Sequence, residues 1–188
     1  MARPRSDDRR NAIMAAAARV IAAHGLGAPT ALIAEEAGVS NGSLFTYFDT
    51  KADLLNQLYL DLKAESAFTS LKGLPLRADL RKQTFHMWSQ SMGWAAQNPE
   101  KRRALAQLNV SDEITPTSRA TGHKTMKPIA SLLERIRAKG PMRDAPMGYV
   151  VAIMNAVGDT TADFMIHDPS NANKHCKMGF DALWRMLV

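Results

Sequence analysis

Asn41, Ser43, Thr46, Tyr47 and Lys51 place five hydrogen-bonding side chains within eleven residues. Each type suits a DNA duplex. An Asn amide pairs bidentately with adenine in the major groove. Ser and Thr hydroxyls donate to bases or phosphates, and the Thr46 methyl matches a thymine methyl. A Tyr hydroxyl donates to a phosphate oxygen while its ring leans on the protein. Gly42 carries no side chain and permits close approach. Lys51 begins a helix, where a cation opposes the dipole and a nearby phosphate explains its placement. Simpler readings stand beside these: Asn41 as a local cap, Gly42 as a first-turn glycine, Lys51 as a solvated charge.

The neighbouring residues must hold that set in place. Ile33, Ala34 and Ala37 have helical spacing, and Gly38 supplies the backbone freedom of a sharp reversal. Val39 fits between two helices, and Ser40 is a natural N-cap for the next one. Leu44 and Phe48, one turn apart, face inward. Thr50 with Asp53 three residues on has the pattern of a capping box. Together these predict a helix-turn-helix that lays its second helix in the major groove. The helices expected are about 8–24, with Ile13, Ala17, Val20 and Ile21 on one face, about 29–37, and about 41–48. Arg3, Arg5, Arg9 and Arg10 form an N-terminal cluster. It reads equally as an arm for phosphates or the minor groove and as a solvated terminus.

The string AGVSNGSLFTYFDTKADLL resembles the DNA-binding signature of the TetR family of bacterial transcriptional regulators. The resemblance is detailed over roughly residues 8 to 60. It implies a DNA-binding set of Thr30, Ser40, Asn41, Gly42, Ser43, Phe45, Thr46, Tyr47 and Lys51. Three departures from the family pattern stand out, the first a connection from Gly25 to Ile33 one residue shorter than usual, which bears on Thr30. Pro29 occupies a position where the family commonly has a capping Thr, and Phe45 stands where Tyr is common. Phe45 thereby loses a phosphate-binding hydroxyl and offers an apolar surface to a thymine methyl.

The rest of the chain reads as helix. Ala, Leu and Met are plentiful against three Trp, three Tyr and six Phe, which favours helices over strands. Further helices are expected at about 51–71, 77–97, 100–110, 116–138, 146–167 and 172–187. Leu54, Leu55, Leu58, Leu62 and Phe68 should turn inward, and Pro128 should disturb the seventh helix. The expected fold is all-α with about nine helices. A three-helix DNA-binding domain over 1–50 precedes a helical ligand-binding and dimerisation domain over 51–188, with helix 51–71 as connector.

The net charge of +6 does not explain DNA binding by itself. Residues 1–70 carry seven Lys or Arg against eight Asp or Glu, so the basic excess lies later in the chain. The lone Cys176 precludes an internal disulfide and suits a reducing compartment. The opening residues lack an apolar signal core, and the apolar stretch 149–157 is shorter than the roughly 20 residues a bilayer needs. A cytoplasmic protein without membrane association is expected. An enzyme is not: His86, His123, His167 and His175 lack metal-ligand spacing, and no nucleophile motif or phosphate-cradling glycine loop occurs. No cofactor and no metal are expected.

Nine of the eleven methionines follow residue 71. They read either as ordinary core or as an adaptable apolar pocket. The resemblance implies a small-molecule sensor there, with Phe68, Phe85, Trp88, Met92, His123, Met126 and Met154 as pocket residues. His86 and Arg119 are further polar candidates. It also implies a homodimer formed by the last two helices, through Val150, Met154, Val157, Thr161, Phe164, Phe180, Leu183, Trp184 and Leu187. Burial within one subunit is the competing reading for those residues. The function expected is a ligand-responsive, sequence-specific regulator, a repressor acting on a palindromic operator under an effector of unknown identity. A ligand-independent architectural DNA-binding protein is the alternative.

Overall fold

Gly25, Gly38 and Gly73 adopt φ of +80°, +68° and +70° in this computed structural model. Each stands just past a helix end, where the left-handed conformation reverses the chain. The structure describes the backbone from Arg5 to Val188 and the side chains from Asp7. Among the described residues the fold is all-α: α1 (Arg5–His24), α2 (Thr30–Glu36), α3 (Asn41–Leu44), α4 (Lys51–Leu71), α5 (Leu80–Gln97), α6 (Pro99–Asn109), α7 (Pro116–Arg137), α8 (Met147–His167) and α9 (Ala172–Leu187). A 3-10 turn, Pro169–Asn171, joins the last two.

Three boundaries depart from the sequence expectation. α1 begins at Arg5 rather than Asp8. α3 is α-helical only to Leu44; Thr46 and Tyr47 then donate to the carbonyls three residues back, so the chain tightens towards Phe48. α5 begins at Leu80 rather than Arg77, since Asp79 accepts from the Lys82 amide at 2.8 Å and sets the start. Pro128 lies inside α7 without ending it.

The chain divides into two compact units. The first runs through Ala64 and resumes over Asn98–Lys124. Its core is Ile13, Ala17, Val20 and Ile21 of α1, Ile33 and Ala34 of α2, Leu44 and Phe48, then Leu54, Leu55, Leu58 and Leu62 of α4, with Ala104 and Leu108 of α6. α1 packs on both α2 and α6. The Gln107 amide donates to the Ile21 carbonyl at 3.0 Å, a second bond on an oxygen that also accepts from the Gly25 amide (2.9 Å), and so ties α6 to the end of α1. Asn56 of α4 donates to the Glu113 carbonyl (2.8 Å) and accepts from the Thr115 amide (2.9 Å). These ties hold α4 to the segment that follows α6 within this unit.

The second unit comprises Glu65–Gln97 and Thr125–Val188, so α4 and α7 contribute residues to both units. Here α5 packs on α8 and α9. Trp88 is buried at the centre, and its indole N–H donates to the Cys176 carbonyl at 2.9 Å. Gly179 faces the Thr161 side chain so closely that any Cβ would collide with it. Arg81 pairs with Asp181 at 2.7 Å and ties α5 to α9. Phe68 was expected inward but is 71% exposed. Within this unit α4 buries Ala67 and Ser70 instead, so the inward stripe no longer includes Phe68.

Candidate nucleic-acid interface

The turn between α2 and α3 is built from backbone bonds that only a left-handed residue allows. Gly38 N–H donates to Glu35 O (3.0 Å) and Val39 N–H to Ala34 O (2.9 Å). That pair of bonds is a Schellman motif, with Gly38 as the left-handed residue and Val39 following it. Ser40 then caps α3: its Oγ accepts from the Ser43 amide at 3.1 Å. The Ser40 hydroxyl also donates to Ser43 Oγ at 2.9 Å. Ser43 keeps its own hydroxyl proton for a phosphate or base. Thr46 donates to Ser43 O at 2.7 Å, which spends its proton and leaves its methyl and oxygen lone pairs outward.

Leu44 and Phe48 are buried, which turns the opposite side of this segment outward. Ser40, Asn41, Gly42, Phe45 and Thr46 are exposed; Ser43, Tyr47, Lys51 and Thr30 are half-buried. The Asn41 amide and the Tyr47 hydroxyl make no hydrogen bond, and Lys51 no ion pair, among the described residues. Thr50 accepts from the Asp53 amide (3.0 Å) and donates to its carboxylate (2.7 Å), the expected capping box. Lys51 therefore sits at a well-defined helix start. Pro29, at the N-cap of α2, offers no side-chain cap. Thr30 thus opens a helix whose first amides have no side-chain acceptor.

The N-terminal arginines separate into different roles. Arg3 lies outside the described residues, as does the Arg5 side chain. Arg9 is exposed. Arg10 is taken up inside the unit: it lies 3.7 Å from Asp61 of α4, and its guanidinium sits 5.7 Å from the centroid of the Phe48 ring. It braces the recognition segment from behind. Nothing in the sequence signalled this, because Arg10 and Asp61 are far apart along the chain. The Arg19–Glu36 pair at 2.7 Å links α1 to α2 in the same way.

The expected pocket and interface residues are scattered more widely. Trp88 and Met92 are buried in the second unit, and Met126 and Met154 are half-buried. Phe68 and His123 are exposed and so do not line an enclosed cavity. Phe85 is 39% exposed; it packs edge-on against Phe180 (4.9 Å between centroids) beside a surface hollow of about 230 Å³. Among the expected interface residues, Phe164 is exposed, and Met154, Val157 and Trp184 are half-buried. Val150, Thr161, Phe180, Leu183 and Leu187 are buried within the protomer. α8 is apolar on several sides, and its internal side takes Val150 and Thr161. Tyr149 and Met178, absent from the expected interface, are exposed.

These elements define a helix-turn-helix DNA-binding regulator with a second, helical unit. The N-terminal helix-turn-helix resembles that of the TetR family of bacterial regulators. Residues 13–58 match the family profile described as "Bacterial regulatory proteins, tetR family". The full chain is similar to a solved protein from Shewanella sp. PV-4, described as a tetR family transcription regulator (TM-score 0.79, 26% identity, covering 94% of this chain and 96% of that one). It shares its fold with a TetR family transcription regulator from Marinobacter aquaeolei VT8 (TM-score 0.84, 20% identity, 99% and 98% covered). It also shares it with the TetR-like regulator LfrR from Mycobacterium smegmatis, solved in complex with proflavine (TM-score 0.69, 17% identity, 96% and 98% covered). Such relatives are transcription regulators rather than enzymes. No helix among the described residues is long and apolar enough to cross a membrane.

Proposed function

We propose that this protein is a homodimeric, cytoplasmic repressor that binds a palindromic operator and releases it when a small molecule occupies the second domain. The observation that carries the DNA reading is the exposed tip: Asn41, Tyr47 and Lys51 stand on a capped, glycine-turned scaffold with their polar groups unpaired among the described residues, and Thr46 turns its methyl outward beside them. Ser40 and Ser43 supply hydroxyls, Gly42 the close approach, Phe45 an apolar contact, and Thr30 a second backbone contact.

Dimerisation is supported by the outer side of α8. Tyr149, Ala152, Ile153, Ala156 and Phe164 follow helical spacing there, and all are exposed or half-buried. The two alanines let a second helix approach closely. Met178 and Trp184 of α9 extend the patch. Two tips related by a two-fold axis fit one duplex when they lie about 34 Å apart or a near multiple. An effector that favours another spacing weakens operator binding by its differential affinity for the two states, about 1–3 kcal/mol in typical couplings. The candidate relay is α4, which carries Lys51 at one end and enters the second unit beyond Ala64. That LfrR was solved with proflavine supports small-molecule sensing in this fold.

Fluorescence anisotropy on an operator duplex, repeated across a compound library, tests this reading. An effector should weaken binding roughly 5–150-fold. Operator affinity that no compound moves favours the ligand-independent architectural protein.

A further inference from the structure

We propose that a surface hollow between α5 and α9 binds a small aromatic carboxylate. Taken as the effector, that guest deepens the sensor reading above and rests on it.

The hollow has a volume of about 230 Å³ and lies wholly within the second unit. Sites for drug-sized molecules run from about 300 Å³ upward, so this one fits a guest of one ring. Phe85 and Phe180 form its apolar wall. Their rings meet edge-on, 4.9 Å between centroids. Phe180 is buried, but Phe85 leaves 39% of its surface uncovered. A ring laid against Phe85 removes that apolar surface from water and adds an aromatic contact.

The rim carries more positive than negative charge. Arg81, Lys82 and Lys177 line it beside Asp79 and Asp181. Asp79 is fully used by Lys82: one oxygen accepts from its amide (2.8 Å), and the other lies 3.3 Å from its ammonium. Asp181 is divided. Its Oδ1 accepts from Arg81 at 2.7 Å and its Oδ2 from Lys177 at 2.8 Å. Two cations therefore share one carboxylate. The bond from Lys177 outweighs burial and, with the charges of Lys177, Arg81 and Arg185, holds the Asp181 carboxyl below its ordinary range. Asp181 is thus an engaged anion at neutral pH, and one positive charge on the rim is left over.

That surplus comes with spare donors. Lys177 spends one of its three N–H groups and Arg81 one of its five among the described residues. Arg81 is also held in place, its guanidinium 5.5 Å from the Phe180 ring centroid and 5.9 Å from that of Trp184. A carboxylate received by Arg81 and Lys177 balances the charge while its ring covers Phe85. A cationic guest is repelled, and a neutral one leaves the surplus in place. The guest would bridge α5 and α9. Trp184 of α9 belongs to the patch assigned to dimerisation, which gives occupancy a route to the spacing of the two tips.

The test uses the full-length protein and four probes: phenylacetate, 2-phenylethanol, 2-phenylethylamine and propionate. Calorimetric titration should show phenylacetate binding about ten-fold more tightly than 2-phenylethanol or propionate, with 2-phenylethylamine weakest. Lys177 is 69% exposed, so Lys177→Gln spares the fold. It should weaken phenylacetate about three- to five-fold and leave 2-phenylethanol unchanged. Phe85→Leu should weaken both aromatic probes and leave propionate unchanged. Melting midpoints equal to the parent's confirm that both variants are folded. Phenylacetate that binds no better than propionate or 2-phenylethanol, or that binds both variants as well as the parent, overturns the site. Operator titrations separate the site from the sensor. Bound phenylacetate that leaves operator affinity unchanged upholds the site and refutes its part in sensing. Operator release by another compound, with no aromatic carboxylate bound, upholds the sensor and refutes the site.

Discussion

On the proposed interface, Asn41 and Lys51, ten residues apart, ask different things of DNA. An exposed amide reads a base edge, whereas a lone ammonium at a helix start meets only phosphate. Asn41→Ala should therefore relax preference at one base position, costing about 1–3 kcal/mol against the preferred sequence. Lys51→Ala should weaken all sequences alike and lower the salt slope by about one. Anisotropy titrations on matched and scrambled duplexes across a salt series separate these effects. Equal behaviour of the two variants would show that one of the roles is misassigned. The outward placement of these groups was legible in the sequence because the inward pair Leu44 and Phe48 sets the phase of the segment. Arg10 was not, since its partners Asp61 and Phe48 are brought to it by packing.

At the scale of elements, the turn depends on Gly38 and the cap on Ser40. With Gly38 at φ +68°, a Cβ brings left-handed strain of roughly 1–2 kcal/mol although nothing lies in its way. Ser40→Ala removes the acceptor for the Ser43 amide and should cost about 1 kcal/mol. Thermal unfolding of both variants should show lower midpoints; an unchanged midpoint for Gly38→Ala would contradict the Schellman reading. A pH effect belongs to the turn before α9. Hydrogen bonds from His175 first, then Ser170 and Asn171, hold the Asp168 carboxyl at about 2, below its ordinary 3.8. A carboxyl so lowered stabilises the fold above pH 3.8, and that contribution is lost as pH falls through about 2. Melting curves between pH 2 and 5 should show the parent losing stability more steeply than Asp168→Asn. These local devices were largely legible: Gly38, Ser40 and the Thr50–Asp53 box each work within a few residues. The length of α3 was not legible, because its tightening after Leu44 is decided by the burial of Phe48 rather than by propensity.

At the scale of the molecule, the open question in the sequence was which side of α8 faces inward. A helix apolar on several sides gives no phase with which to choose. Val150 and Thr161 turn to the core, leaving Tyr149 and Phe164 outside, each 57% exposed. Phe164→Glu gives up a ring contact with His175 (5.4 Å between centroids) but no core packing, and should split the proposed dimer while the protomer stays folded. Sedimentation velocity should then report a monomer, and operator affinity should fall because one tip binds one half-site alone. A variant that stays dimeric would move the interface elsewhere.

The most direct measurement is selection of bound duplexes from a random DNA pool. The exposed tips of a two-fold dimer predict enrichment of a palindrome, with half-sites about 10 base pairs apart centre to centre or a near multiple. Affinity for it should be at least about 10³-fold above that for unselected DNA. A pool that emerges without a motif, bound through charge alone, would contradict sequence-specific regulation by this chain.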